Sequence, residues 1–242
     1  MRKYILTTIA SLMLLSLVGG VFALSKDFDF ASTGGTGIIV YPSIDVSRSF
    51  EIGLGLQWVL FPGSVLSPVL SIAFQNFNFG VAADYDTGRS GGVFPVIFSA
   101  KYQITSGLGI YGDLQWFTRP NDIGFSFLLL GGDGLFGLSI GGGWDLTFGF
   151  GIAFAPNYDW NLNVFFGIQK SILSDVLFLK AELANYSYRV IYDPFFSSDG
   201  RGVFNLGLSI VPANWVSIGI TGFDLLDNNR SLGVSLNFRF KP

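Results

Sequence analysis

The chain contains no cysteine and no histidine. Without cysteine there can be no disulfide, and no lipid-modified cysteine behind a signal segment, so the chain is not a lipoprotein. Without either residue there is no Ser-His-Asp or Cys-His nucleophile pair, no zinc cluster of the usual ligands and no ordinary haem ligand pair. Charge is also scarce. Only 13% of the 242 residues are charged, against about 25% in an average soluble domain. Long apolar runs are scarcer than the mean hydropathy of +0.50 suggests. A helical membrane protein should show several, each near 20 residues, and here one appears, at the N-terminus. The near-neutral balance of 14 basic against 17 acidic residues argues against a nucleic-acid partner.

That single run reads as an export signal. Arg2 and Lys3 supply the charged start, residues 4–17 are apolar, and Gly19-Gly20 break the run. Val21-Phe22-Ala23 places small residues at the positions a signal peptidase reads. Cleavage is expected after Ala23, giving a signal peptide over 1–23 and one domain over 24–242.

What is abundant is glycine, at 32, and phenylalanine, at 26. Through the mature chain, large apolar residues alternate with small or polar ones for about eight to eleven positions, and then a turn follows. A period of two means strand. In 49–58, Phe50, Ile52, Leu54, Leu56 and Trp58 share one face, and Glu51, Gly53, Gly55 and Gln57 the other. The last segment repeats it, with Leu232, Val234, Leu236, Phe238 and Phe240 set against Ser231, Gly233, Ser235, Asn237 and Arg239. Between them the pattern predicts strands near 37–41, 69–75, 77–85, 93–103, 108–117, 123–130, 135–142, 146–155, 161–170, 176–187, 203–211 and 215–223. Turn chemistry separates them at Asp86-Thr87-Gly88, Thr118-Arg119-Pro120-Asn121, Gly131-Gly132-Asp133-Gly134, Pro156-Asn157, Pro212-Ala213-Asn214 and Asp227-Asn228-Asn229. The total is about fourteen. Merging 69–75 with 77–85, and 135–142 with 146–155 across Gly143-Trp144-Asp145, gives twelve. A membrane barrel needs an even number, so twelve and fourteen both stand.

The phase of the charges separates a membrane barrel from a soluble sandwich, whose outward face would be polar. Glu51, Lys101, Asp113, Lys180, Glu182 and Arg239 all fall opposite the bulky apolar stripe. A charge facing lipid at mid-membrane costs about 2–4 kcal/mol, whereas a lumen tolerates it. Hydrocarbon also leaves no partner for an open sheet edge, so the sheet must close. The expected fold is therefore all-β: a closed antiparallel transmembrane β-barrel of 12–14 strands with short loops. Trp58, Tyr102, Trp116, Phe117, Trp144, Trp160, Trp215 and Phe240 suit interfacial girdles as a set. Gly53, Gly55, Gly109, Gly137, Gly149, Gly151, Gly167, Gly207, Gly219 and Gly233 fall on the lumen face, where they suit a tightly curved wall or room for a solute.

The final strand, with Leu236, Phe238 and Phe240, resembles the C-terminal assembly signal of bacterial outer-membrane barrels, departing from it by the trailing Lys241 and Pro242. The resemblance implies outer-membrane lipid as surroundings and the barrel-assembly machinery as a partner. The stretch Gly35-Thr36-Gly37-Ile38-Ile39-Val40-Tyr41-Pro42-Ser43-Ile44-Asp45-Val46 resembles the opening of YjbH-like barrels linked to exopolysaccharide export. Outer-membrane proteases, phospholipases and acyl-chain hydrolases rely on His, which this chain lacks, and no enzyme activity is expected.

No motif demands a cofactor or a metal. Asp84, Asp86 and Gly88 suggest a calcium loop, but no downstream Glu completes one, and a turn is the better reading. Glu51 and Asp113 could act as an acid–base pair only if their strands met. Lumen salt bridges suit them better, with Lys101, Lys180 and Arg239 available. The six inward charges are the candidate lumen lining, and the function expected first is a passive channel for small solutes. A non-conducting structural or interaction barrel, as in polysaccharide export or adhesion, is the second expectation. Phe165 and Phe178, read as inward, also admit a hydrophobic cargo.

Overall fold

The computed structural model describes residues 47–60, 64–86, 94–118, 126–154, 161–173, 175–185, 202–226 and 230–242. The strands are β1 (Glu51–Val59), β2 (Val65–Phe74), β3 (Phe77–Ala83, resumed at Tyr85–Asp86 beyond a break at Asp84), β4 (Phe94–Thr105), β5 (Leu108–Thr118) and β6 (Ser126–Ile140). They continue as β7 (Trp144–Phe154), β8 (Asn161–Ile172), β9 (Leu177–Ala184), β10 (Val203–Ala213), β11 (Val216–Phe223) and β12 (Ser231–Phe240). Each pairs antiparallel with the next, and β12 returns to β1 along a register from Ile52↔Phe240 to Val59↔Gly233. The sheet is a closed barrel of twelve strands. Closure leaves no unpaired edge among them, as hydrocarbon requires.

Twelve is reached by a different merger from the one the pattern offered. The hairpin between β2 and β3 turns at Gln75-Asn76, and β6 and β7 remain separate strands joined through Gly141–Gly143. Instead, the segments expected at 123–130 and 135–142 are one strand. Gly131-Gly132-Asp133-Gly134 is not a turn but the interior of β6, paired on both sides. Trp144 and Asp145 likewise belong to β7, and Pro212 and Ala213 to β10, with the turn at Asn214-Trp215. The expected strand at 37–41 and the stretch 35–46 lie outside the described residues. So do the turns at Pro156-Asn157 and Asp227-Asn228-Asn229, Arg119 to Asn121, and Trp160.

The two ends of the barrel differ. At one end the hairpins turn at 75–76, 106–107, 141–143, 173–176 and 214–215, and β1 begins and β12 ends there. Gln75 and Asn76 both take left-handed backbone, φ 46° and 71°, the geometry a two-residue hairpin needs to follow the sheet's twist. At the other end the connections run through 60–64, 87–93, 119–125, 155–160, 185–202 and 224–230.

The expected phase holds around the wall. Outward positions carry exposed apolar side chains, among them Leu54, Leu70, Phe98, Ile152, Leu179 and Ile220. Aromatics mark both rims of this band. Trp58, Tyr85 and Trp116 stand toward the long-connection end, and Trp144, Trp215 and Phe240 toward the short-turn end. There Phe77 packs at a tilt on Tyr102 with centroids 4.5 Å apart, Trp215 stacks on Phe238 at 6.2 Å, and the Lys170 ammonium lies 4.8 Å from the Trp144 ring. Amphipathic rings settle where apolar and polar surroundings meet.

Candidate functional site

Because the strand period is two, each inward residue shares a wall with small or polar neighbours, and the site is the lumen itself. All six candidate charges point into it. Lys101, Asp113, Lys180 and Glu182 are deeply buried. Glu51 and Arg239 sit at the short-turn end, on the two strands that close the barrel. Glu51 lies 3.9 Å from the Arg239 guanidinium and 2.7 Å from the Lys241 ammonium. It also accepts from the Ser47 hydroxyl at 2.5 Å, while Arg239 donates to the Asn214 carbonyl at 3.0 Å.

Lys180 and Glu182 are adjacent inward positions of β9. Lys180 stands between Gln169 and Gly207, and Glu182 between Gly167 and Asn205. The Asn205 amide donates to Glu182 at 3.1 Å, and its carbonyl accepts from the Asp224 backbone N–H at 2.9 Å. Lys101, on β4, is flanked by Asn78 and Tyr111. Asp113 accepts from the Gln115 amide at 2.8 Å. Glu51 and Asp113 are held on β1 and β5, which do not pair, and each has the other partners just described.

Two inward carboxylates were not among the candidates. Asp133 escaped because its glycine neighbours read as a turn, and in β6 it accepts from the Asn163 amide at 2.6 Å. Asp84 sits at the break in β3, buried, and accepts from the Ser67 hydroxyl. The calcium-loop reading extends to Gly88, which lies outside the described residues; among the described residues no group of three or more acidic, His or Cys side chains suited to a metal occurs.

The lumen-face glycines are seats for side chains. The Phe165 ring occupies the space a Cβ on Gly149 would take, and the Asp113 carboxylate does the same at Gly131. The Phe223 ring comes within 2.7 Å of where a Gly233 Cβ would stand. Large inward groups can therefore lie against the wall. Phe165 and Phe178 face inward as the alternation predicts. Phe165 joins Val59, Val65, Tyr111, Leu135, Ala184 and Phe223 in an apolar cluster drawn from seven strands.

No family model matches the chain, and no curated protein is similar to it in sequence. Solved structures are similar in fold. A KdgM porin, solved in complex with disordered oligogalacturonate, superposes with a TM-score of 0.56 at 11% identity, over 78% of this chain and 99% of the porin. The outer membrane protein Omp33 of Acinetobacter baumannii superposes with a TM-score of 0.50 at 13% identity, over 81% of this chain and 99% of its own. The fold is that of the outer-membrane porin barrels. In this fold the wall is a hydrogen-bonded cylinder, and the inward side chains set the chemistry of its interior.

Proposed function

We propose that the chain is a passive outer-membrane channel for small solutes. The observation that carries this reading is the sorting of its side chains: buried charges and amides face the lumen of a closed twelve-strand wall, and apolar groups face out. Twelve strands enclose more room than the eight-strand barrels that side chains fill, and inward charges would make an aqueous path through that room selective. Glu51, Lys101, Asp113, Lys180, Glu182 and Arg239 line that path. Residues 1–23 act as a cleaved export signal, and β12, ending on Phe240, is the strand the assembly machinery reads. The short-turn end faces the periplasm and the long connections face outward, the usual disposition of such barrels. With no His and no Cys, the lumen is given no catalytic role.

The KdgM porin was solved with a polyanionic sugar chain. A polyanion is a poor cargo for this lumen, whose described inward charges include Asp84 and Asp133 beside the three acidic candidates, against three basic ones. Neutral or cationic solutes suit it better. A second reading, a barrel that does not conduct, is favoured by one observation. Inward Gln115, Asn163 and Leu135 are all 0% exposed, so side chains crowd the lumen at those heights.

Planar-bilayer recording of the purified, folded barrel decides between them. Discrete single-channel steps support the channel. A folded barrel, verified by heat-modifiable gel migration, that gives no steps at any voltage sinks it and leaves the structural reading.

A further inference from the structure

We propose that Asp113 and Gln115 of β5, with Asp133 of β6 beyond them, form a cation-binding site inside the lumen. This rests on the channel reading and deepens it, because it names the class of solute: a small cation, either an inorganic ion or the ammonium head of an organic molecule.

The site begins with Gln115, which is fully buried. Its amide nitrogen donates to one oxygen of Asp113 at 2.8 Å. The same amide's carbonyl oxygen has no hydrogen-bond donor. The second oxygen of Asp113, a residue 5% exposed, has none either. Two buried acceptors on side chains bonded to each other, neither satisfied, call for a donor or a positive charge, since leaving such groups unmade is costly. Asp133, equally buried, is the next inward position of β6 beyond Gly131, the register partner of Asp113, so the two carboxylates are diagonal neighbours on adjacent strands. It is positioned by Asn163, whose amide donates to it at 2.6 Å. Two carboxylates sharing a poorly solvated space repel each other strongly, and a cation between them reverses the sign of that interaction.

The wall is shaped to hold this arrangement. Gly131 leaves the space the Asp113 carboxylate enters, and Gly151 leaves the space beside Asp133. Any Cβ at Gly131 would meet the Asp113 carboxylate. All the unsatisfied atoms are oxygens, so the site prefers hard cations and ammonium groups over metals that seek nitrogen or sulfur.

Binding and conduction are measured separately, so the two proposals fail separately. Isothermal titration of the purified barrel in detergent uses three probes in turn: potassium, calcium and methylammonium. At least one is expected to bind, and Asp113→Asn is expected to weaken it tenfold or more while heat-modifiable migration stays unchanged. Calcium alone binding marks an inorganic-ion site, and methylammonium binding marks one that takes organic amines. Gly131→Ala, which leaves every charge in place, is expected to weaken the same probe. Failure of all three probes to bind the folded wild-type barrel overturns the site, as does full-strength binding by Asp113→Asn. Absence of conductance with binding intact overturns only the channel.

Discussion

The ring of Phe165 lies in the space that a side chain on Gly149 would fill, and these two residues are direct register partners on β8 and β7. An aromatic ring 1% exposed is thereby laid along the wall. The glycine's lack of a Cβ is what the ring packs against. Gly149→Ala should force the ring away and cost about 1–3 kcal/mol, the usual penalty for overpacking. Phe165→Ala, which empties the space instead, should cost about 3–5 kcal/mol. Urea unfolding of the barrel from lipid vesicles measures both. Gly149→Ala combined with Phe165→Leu should recover part of the first loss, because the smaller side chain relieves the clash.

A second expectation concerns the outer wall. Leu54 lies at the middle of β1 and faces outward, exposed, between lumen-facing Gly53 and Gly55. Leu54→Arg should destabilise the folded barrel by about 2–4 kcal/mol in vesicles. Leu54→Phe, which keeps the surface apolar, should change stability little. An arginine tolerated at this position would show that the band does not sit in lipid.

The closing seam yields a third. Glu51 on β1 and Arg239 on β12 meet across the one junction between the first and last strands, with Lys241 adding a second cation. The two side chains stand 3.9 Å apart, at the long limit of an ion pair, and Lys241 shares the carboxylate, so the coupling to Arg239 should be modest, about 0.5–1 kcal/mol. A double-mutant cycle of Glu51→Gln and Arg239→Gln, read by urea unfolding, isolates that coupling. A value near zero would mean that backbone pairing alone holds the seam.

These particular residues also show what the sequence makes legible. The phase of every strand is readable because a charge in lipid costs more than most other errors of placement, so Lys101, Asp113 and Lys180 betray the inward face without any structure. The partners of those charges are not readable. They depend on stagger between strands, and nothing in the alternation of β1 and β12 says that Arg239 lies opposite Gly53 and reaches Glu51. The run Gly131-Gly132-Asp133-Gly134 misleads for a related reason. Glycines beside an aspartate have the composition of a turn, yet Gly131 is small because the Asp113 carboxylate takes its space, and Asp133 in turn lies against Gly151, its partner on β7. That need arises only when β5, β6 and β7 are side by side, so Asp133 stayed out of the candidate set and the strand count pointed to the wrong merger.

The charge balance of the lumen gives a fourth expectation. Lys180 is buried beside Glu182 on the same face of β9. Lys180→Gln removes a positive charge from the path and keeps a polar side chain of moderate size. Under a tenfold potassium chloride gradient across a planar bilayer, the reversal potential should move toward cation selectivity. Asp113→Asn should move it the other way. Unchanged potentials in both variants, with conductance preserved, would place these residues outside the conducting path.

The direction in which the barrel is threaded can be read with a single introduced thiol, because the chain has no cysteine of its own. The argument begins at the turns. Ser106-Gly107 joins β4 to β5 in two residues at the end where β1 starts and β12 finishes. The interval 185–202 joins β9 to β10 at the opposite end. Barrels inserted from the periplasm keep both termini and their short turns on that side. A membrane-impermeant maleimide applied to intact cells should therefore label Ser198→Cys and leave Ser106→Cys unlabelled. After the outer membrane is permeabilised, both should react, since Ser106 is exposed at its turn. The reverse pattern in intact cells would turn the barrel over and carry the lumenal charges with it: the Glu51–Arg239 pair would then guard the outer mouth instead of the periplasmic one.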